Sequence, residues 1–156
     1  MKTITPCLWF DTQALDAASF YVEIFPNSRI KNIAYYGENT PGKSGSVMTV
    51  SFLLDGNEFL GLNGGLVFQF TPAISFTIPC ENQKEVDYYW EKLSAVRGVE
   101  ECGWVQDKFG ISWQIVPNIL EHLISDPDPV KADRVMQAML RMKKLDIAKL
   151  EEAYRG

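Results

Sequence analysis

The hydrophobic pattern at the start of the chain predicts one helix among several strands. Residues 14–25 carry an apolar side chain at every third or fourth position, and Pro26 follows them, which predicts an amphipathic helix. The turn sequence Asp55-Gly56-Asn57 predicts a hairpin. Short apolar or alternating runs predict four strands, at residues 4–10, 29–36, 46–54 and 58–63.

A second copy of this order begins after Gly64-Gly65. A shift of 68 residues places Phe20-Tyr21 on Tyr88-Tyr89, within the predicted helix of each copy. The second copy predicts a strand, a helix, a loop with a strand, and a closing strand, at residues 73–78, 84–96, 98–106 and 111–116. We therefore expect an α+β fold in which two βαβββ units, at about residues 1–65 and 66–124, form one domain with a cupped mixed sheet.

The remaining segment, residues 125–156, predicts a helical tail. Ser125-Asp126-Pro127-Asp128-Pro129 supplies rigid residues and N-caps, and two helices are predicted at residues 130–144 and 147–154. One apolar stripe runs along them: Val135, Met136, Met139, Leu140 and Leu150. The two-unit core need not cover this stripe, so we expect a homodimer in which each tail packs on its partner or on the shared sheet edge.

Composition excludes several functional classes. The 156 residues are 46% apolar and have a net charge of −5 without any basic block, so we expect no nucleic-acid partner. Glycines and prolines interrupt the long apolar stretch at residues 59–80, and the N-terminus does not resemble a signal peptide, so we expect no membrane association and a cytoplasmic location. Cys7, Cys80 and Cys102 are widely spaced and predict reduced, mostly buried thiols, while the single His122 excludes a mechanism that needs two histidines.

Several stretches of sequence resemble a known family. The duplicated βαβββ unit with Phe20-Tyr21 in its helix resembles the vicinal oxygen chelate superfamily, which includes glyoxalases, extradiol dioxygenases and fosfomycin-resistance proteins. The closer resemblance is to its PhnB-like branch, often labelled 3-demethylubiquinone methyltransferase-like, and extends over nearly the whole chain. The stretches that carry it are residues 4–11, 21–28, 59–65, 86–93, 102–104, 107–114 and 135–139.

The resemblance implies a metal site for which this chain lacks the ligands. Metal-using members of the superfamily bind the ion with His, His and Glu from the first and closing strands of the units. The matching positions here are Pro6, a residue near Ala73, and Gln114, and none supplies an imidazole or a carboxylate. We therefore expect no metal and no other cofactor.

Two alternative chemistries compete with this expectation. A metal held by Asp11, Asp107 and Glu58 is conceivable, although these turn residues are expected to be solvated surface carboxylates. The methyltransferase label implies S-adenosylmethionine, which is usually bound by a glycine-rich loop between a strand and a helix. Here Gly61-Leu62-Asn63-Gly64-Gly65 leads into another strand, so the sequence does not support that cofactor.

Strand alternation predicts the lining of the cup. Continued through the former ligand positions, it gives six candidate ligand-binding residues: Leu8, Phe10, Ser75, Thr77, Ser112 and Gln114. By the same alternation Trp9 and Trp113 face the helices. A mostly apolar surface with a few polar groups is typical of a small-molecule pocket.

These observations predict a PhnB-like protein that binds a small organic ligand in the cup without a metal. Two alternatives stay open at this point. One is an enzyme of the superfamily with methyltransferase, lyase or resistance-type chemistry. The other is a non-catalytic structural dimer.

Overall fold

Residues 4–156 are described in this computed structural model of the chain. Contacts within the chain divide it into two compact units, at residues 1–70 (unit 1) and 71–156 (unit 2). Both units combine helices with a mixed sheet, so the predicted α+β class is confirmed.

Unit 1 has the predicted order of strand, helix and three strands. Its helix α1 spans Ala14–Ile24. Its strands are β1 (Cys7–Phe10), β2 (Arg29–Tyr35), β3 (Val47–Leu54) and β4 (Asn57–Asn63). They form sheet A in the order β1-β4-β3-β2, in which only the β1–β4 pair is parallel.

One face of sheet A is covered by α1 through aromatic packing. The Tyr21 ring stacks on Phe52 at 6.4 Å, and Phe52 stacks on its cross-strand partner Phe59 at 5.7 Å. Near the start of α1, Gly61 lets the helix approach the sheet, because a Cβ at Gly61 would lie 3.2 Å from the Ala14 Cβ. The side of sheet A that carries Phe59 and Gly61 is therefore the buried side.

Unit 2 begins in the same way but has a smaller sheet. Its elements are β5 (Ser75–Cys80), α2 (Gln83–Leu93), β6 (Trp104–Gln106) and β7 (Ser112–Pro117). The strands form sheet B in the order β5-β7-β6, with β5 parallel to β7. The segment between α2 and β6 forms a short 3-10 turn at Arg97–Val99 rather than a strand. Sheet B therefore has three strands within the described part of the chain, where sheet A has four.

The C-terminal part of unit 2 contains three helices. They are α3 (Ile119–Ile124), which the sequence did not predict, α4 (Pro129–Met139) and α5 (Ile147–Arg155). The side chains of Asp128 and Asp146 cap α4 and α5 by accepting backbone N–H bonds. Five side chains from this region form one buried cluster: Leu120, Leu123, Val135, Leu145 and Leu150.

This cluster changes the interpretation of the tail stripe. Val135 and Leu150 are fully buried within unit 2, so the expectation that they form a surface needing a partner is wrong. The chain folds back on itself because α4 ends at Met139, five residues earlier than predicted, and the following linker turns α5 against α4. Leu140 does remain exposed. No helix in residues 4–156 is long and apolar enough to cross a membrane.

Candidate functional site

The two faces of sheet B differ in chemistry because polar and apolar residues alternate along its strands. One face carries Ile78, Cys80, Trp113 and Ile115, all of them buried. The negative charge of Glu85 on α2 helps to raise the pKa of the Cys80 thiol on this face. The other is the uncharged face, which we define by the paired residues of β5, β7 and β6: Ser75, Thr77, Pro79, Ser112, Gln114, Val116, Trp104 and Gln106. None of these residues carries a charge.

The centre of the uncharged face is a hydrogen bond between two strands. The Gln114 Nε2 donates to the Ser75 Oγ at 2.8 Å. The register places Thr77 beside Gln114 on one side and Trp104 beside it on the other. Four of the six predicted site residues, Ser75, Thr77, Ser112 and Gln114, thus lie together on this face.

Several polar groups here have no hydrogen-bond partner elsewhere in residues 4–156. They are the Gln114 Oε1, the Thr77 hydroxyl and the Trp104 Nε1. Gln114 and Trp104 are half-buried and Thr77 is exposed. Gln106 differs, because its Nε2 donates to the Gly110 carbonyl at 3.1 Å and is held at the turn. The arrangement offers an acceptor, a hydroxyl and an indole N–H beside an aromatic ring.

Trp104 is the residue of this face that the predicted site omitted. Its strand has only three residues, so alternation within β6 carries little information. What places Trp104 opposite Gln114 is the pairing of β6 with β7, a contact between segments ten residues apart. The Cys102-Gly103-Trp104 stretch is one of those that carry the family resemblance, which indicated that Trp104 is important. It did not indicate which face of the sheet the Trp104 side chain occupies.

The predicted direction of Leu8 and Phe10 is wrong. Leu8 pairs with Gly61 and Phe10 with Asn63, so both side chains lie on the α1 side of sheet A. They are 5% and 3% exposed. Alternation then turns Trp9 to the opposite face, where its Nε1 donates to the Gly65 carbonyl at 2.8 Å. Leu8 and Phe10 therefore belong to the core of unit 1.

The corresponding expectation for Trp113 is correct. Trp113 is buried, and its Nε1 donates to the Asp107 Oδ2 at 2.8 Å. Asp107 also accepts the backbone N–H groups of Phe109 and Ile111 through its Oδ1. The expectation that Asp107 is a solvated surface carboxylate is wrong, because this carboxylate organises the turn before β7 and is 1% exposed.

The donor groups present do not suit a protein-bound metal. Asp107 already accepts hydrogen bonds from three N–H donors, and Glu58 forms an ion pair with Lys31. Within residues 4–156, no three His, Cys, Asp or Glu side chains lie close enough to share an ion. The uncharged face supplies amide, hydroxyl and indole groups, which are poor ligands for the metals that His, Cys and carboxylates bind.

The three cysteines and the histidine stand apart from the uncharged face. Burial, together with the nearby Glu85 carboxylate, raises the pKa of the Cys80 thiol to about 12. Burial also raises the pKa of Cys7 and of Cys102. Cys80 is buried as expected, whereas Cys102 is half-buried and Cys7 exposed, and none forms a disulfide in the described residues. His122 is exposed in the last turn of α3.

Comparisons with known proteins bear on the family. The family model described as 3-demethylubiquinone-9 3-methyltransferase matches residues 2–116. A solved structure of a PhnB protein from Bacillus cereus, which carries the name 3-demethylubiquinone-9 3-methyltransferase, is 35% identical to this chain; the match covers 74% of this chain and 99% of that one, with a TM-score of 0.63. No curated protein matches the chain.

Two further structures share the fold alone. A Pseudomonas aeruginosa protein is 13% identical over 75% of this chain and 98% of its own, with a TM-score of 0.58. An Arabidopsis thaliana gene product is 16% identical over 74% and 98%, with a TM-score of 0.50. The family model ends at Val116, so α3, α4 and α5 lie outside it. With residues 2–116 matched by the family model and a solved structure at 35% identity, the chain belongs to the PhnB-like family described as 3-demethylubiquinone-9 3-methyltransferase.

Proposed function

We propose that the protein binds a small organic molecule on the uncharged face of sheet B, without a metal. The observation that carries this proposal is the bond from Gln114 Nε2 to Ser75 Oγ, which fixes the amide with its Oε1 still able to accept. Binding to a fixed acceptor loses less conformational entropy than binding to a mobile acceptor, because the rotamer freedom of the fixed side chain is lost on folding rather than on binding.

The chemistry of the uncharged face favours a ligand whose contacting groups carry no charge. An ionised group moved out of water against this surface would find no opposite charge there, and its desolvation would oppose binding. Trp104 offers a ring for stacking and an N–H donor beside the Gln114 amide. We therefore propose a planar or partly planar molecule with at least one hydrogen-bond donor for Gln114.

The experiment begins with a thermal-shift screen of a metabolite library, with and without EDTA. A ligand at about 100 times its Kd adds about 2.7 kcal/mol of stability. Gln114→Ala should weaken any hit by about 1 kcal/mol or more while changing the free energy of unfolding less. Gln137→Ala, an exposed amide on α4, is the matched control and should leave affinity unchanged.

Three outcomes contradict the proposal. Hits that Gln114→Ala does not weaken would locate the ligand elsewhere. Binding that EDTA abolishes and zinc or manganese restores would require a protein-bound metal. Hits that all carry a net charge and bind more weakly as salt is added would contradict the uncharged contact.

We do not extend the methyl transfer named for the family to this chain. The glycines of Gly61-Leu62-Asn63-Gly64-Gly65 are followed by an irregular segment and β5, so they precede no helix N-terminus that could hold a cofactor's charged group. Calorimetric titration with S-adenosylmethionine tests directly whether the chain binds this cofactor. Saturable binding there would favour the enzymatic alternative.

We further propose a cytoplasmic homodimer. In it the two βαβββ units, at about residues 1–65 and 66–124, form one domain, and residues 125–156 form the attached helical tail. The support for a dimer is an exposed apolar run, in which Leu66, Val67 and Phe68 are 75%, 74% and 62% exposed. Light scattering should give about twice the chain mass of 17.7 kDa. A monodisperse monomer, unchanged when Val67 is replaced by Ser, would contradict it.

A further inference from the structure

Unit 1 contains a cavity of about 450 Å³ that the proposed function does not use. It lies where the parallel strands β1 and β4 both end, between the turn at Asp11-Thr12 and the turn at Gly64-Gly65. The connection between β2 and β3 supplies the third wall through Tyr36, Lys43 and Ser46. Its volume falls within the range of small-molecule sites.

Hydrogen bonds hold the walls of this β1–β4 cavity in place. Gly64 N–H donates to the Phe10 carbonyl at 2.9 Å, which joins the two strand ends. The Tyr36 hydroxyl donates to the Asn63 carbonyl, which fastens the β2–β3 connection to the end of β4. A Cβ at Gly42 would lie 2.4 Å from the Tyr36 ring, so the connection is packed closely on that ring. The cavity is therefore preformed, which lowers the entropic cost of binding.

Two opposite charges line the β1–β4 cavity. Asp11 comes from the β1–α1 turn and Lys43 from the β2–β3 connection. Neither takes part in an ion pair or a side-chain hydrogen bond with any other residue between 4 and 156, and they are not within pairing distance of each other. Asp11 is half-buried, so a cation beside it would be partly shielded from water.

This arrangement matches a molecule that carries both charges. A free α-amino acid carries one charge of each sign, so it can form one charge-assisted hydrogen bond with each of these residues. We propose that the β1–β4 cavity binds a free α-amino acid, with its ammonium group on Asp11 and its carboxylate on Lys43. The proposal involves residues of unit 1 alone and does not depend on the ligand of the uncharged face.

The test uses the full chain and the twenty free amino acids as probes, each at millimolar concentration. Saturable shifts of the Gly64 and Gly65 amide resonances should appear for at least one of them. Asp11→Asn and Lys43→Gln should each weaken that binding about tenfold, the effect of losing one charge-assisted bond. Glu38→Gln, a charge change in the same connection but outside the cavity lining, should not alter affinity.

Two derivatives of the bound amino acid assign the charges. The amide derivative lacks the carboxylate, so it should bind weakly to the native chain. Its affinity there should be no lower than the affinity of the free amino acid for Lys43→Gln. The N-acetyl derivative lacks the ammonium charge, so it should also bind weakly to the native chain. Its affinity there should be no lower than the affinity of the free amino acid for Asp11→Asn. No saturable shift with any of the twenty would overturn the proposal. So would an affinity unchanged from the native chain in both Asp11→Asn and Lys43→Gln, with native-like spectra.

Discussion

Units 1 and 2 begin with the same order of strand and helix but complete their cores differently. Unit 1 adds a hairpin and a parallel closing strand, so that four strands and one helix enclose the stacked rings of Phe52 and Phe59. Unit 2 has three strands, and its three C-terminal helices supply a separate apolar cluster. A repeated order of elements therefore does not determine how much surface each copy must still cover.

The linker between α4 and α5 attaches this cluster to the rest of unit 2. Cys102 N–H donates to the Met142 carbonyl at 2.9 Å, and Gly103 N–H donates to the Lys143 carbonyl at 2.8 Å. The Gln83 side chain at the start of α2 bonds the linker twice, to the Leu145 carbonyl and from the Ile147 N–H. The linker therefore occupies the edge of the unit beside β6, where backbone groups would otherwise be solvated.

Glycine is required at position 103 for this attachment. Its φ is +86°, a conformation that other residues adopt only with strain. A Cβ there would also lie 2.8 Å from the Ile115 carbonyl oxygen and 3.1 Å from the Leu145 side chain. The close approach of the turn, β7 and Leu145 thus depends on the missing side chain.

Each unit also contains one buried polar side chain that joins its segments. In unit 1 the Asn63 Oδ1 accepts the Ala14 N–H at 2.8 Å, and its Nδ2 donates to the Val47 carbonyl at 3.0 Å. In unit 2 Asp107 has the corresponding part at the turn before β7. A neutral amide both donates and accepts, whereas the carboxylate only accepts, which is why its three partners are all N–H groups.

The largest effect is expected when the chain ends at Asn118. This truncation removes all five residues of the C-terminal cluster, each worth about 1.5–3 kcal/mol of burial, which together match the roughly 5–15 kcal/mol stability of a domain. Hydrogen exchange should show loss of protection in β5 and β7. Retained protection there would mean that three strands and one helix suffice, and that the tail is an independent addition.

A single substitution tests how much the C-terminal cluster contributes to the stability of unit 2. Leu145 is fully buried, so Leu145→Ala should lower the free energy of unfolding by about 2–5 kcal/mol through lost burial and a cavity. Leu140→Ala, five residues earlier and 52% exposed, is the matched control and should change stability by less than about 0.5 kcal/mol. Urea denaturation measures both. Equal effects of the two variants would show that the linker does not hold the cluster.

A third variant addresses unit 1. Asn63→Ala removes both bonds that join α1, β3 and β4, and leaves buried backbone groups without partners, so we expect a loss of about 1–3 kcal/mol. Hydrogen exchange should rise first at the start of α1. Asn32→Ala, an exposed asparagine on β2, should have little effect. Faster exchange confined to β5 or β7 would contradict the assignment of Asn63 to unit 1.

The smallest effect concerns pH and the C-terminal helices. The Tyr154 hydroxyl donates to the Asp126 carboxylate, which lowers the pKa of Asp126 and raises the pKa of Tyr154. The bond therefore contributes stability above the usual pKa of an aspartate, and this is lost as the pH falls through the lowered value. It also contributes below the usual pKa of a tyrosine, and this is lost as the pH rises through the raised value.

Urea midpoints measured across these two pH ranges test the pair. Because both groups are only half-buried, solvent screens the pair and the expected change in midpoint is small. Tyr154→Phe should lower stability at neutral pH and reduce its dependence on pH at both ends. An unchanged pH profile in Tyr154→Phe would show that the pair contributes nothing measurable.

Much of the fold followed from local patterns. Helices α1 and α2, the Asp55-Gly56-Asn57 hairpin and the N-cap before α4 were predicted to within a few residues. These features depend on contacts within a few positions along the chain, which local sequence encodes. Helix α3 and the early end of α4 depend on which distant segment covers which surface, and local patterns carry no such information.

Some features of the candidate site also followed from local patterns, and others depended on the tertiary structure. Ser75-Phe76-Thr77-Ile78 and Ser112-Trp113-Gln114-Ile115 alternate polar and apolar residues, so the sequence alone determined that Ser75, Thr77, Ser112 and Gln114 share a face. Cys7-Leu8-Trp9-Phe10 is apolar at every position, so alternation could not tell its two faces apart. Only the pairing with β4 decided that Leu8 and Phe10 lie against α1, because Gly61 leaves room there for the helix and Asn63 accepts a hydrogen bond from its first residue. Tertiary structure likewise buried Asp107 and placed Trp104 beside Gln114, since both depend on partners that only the folded chain brings together.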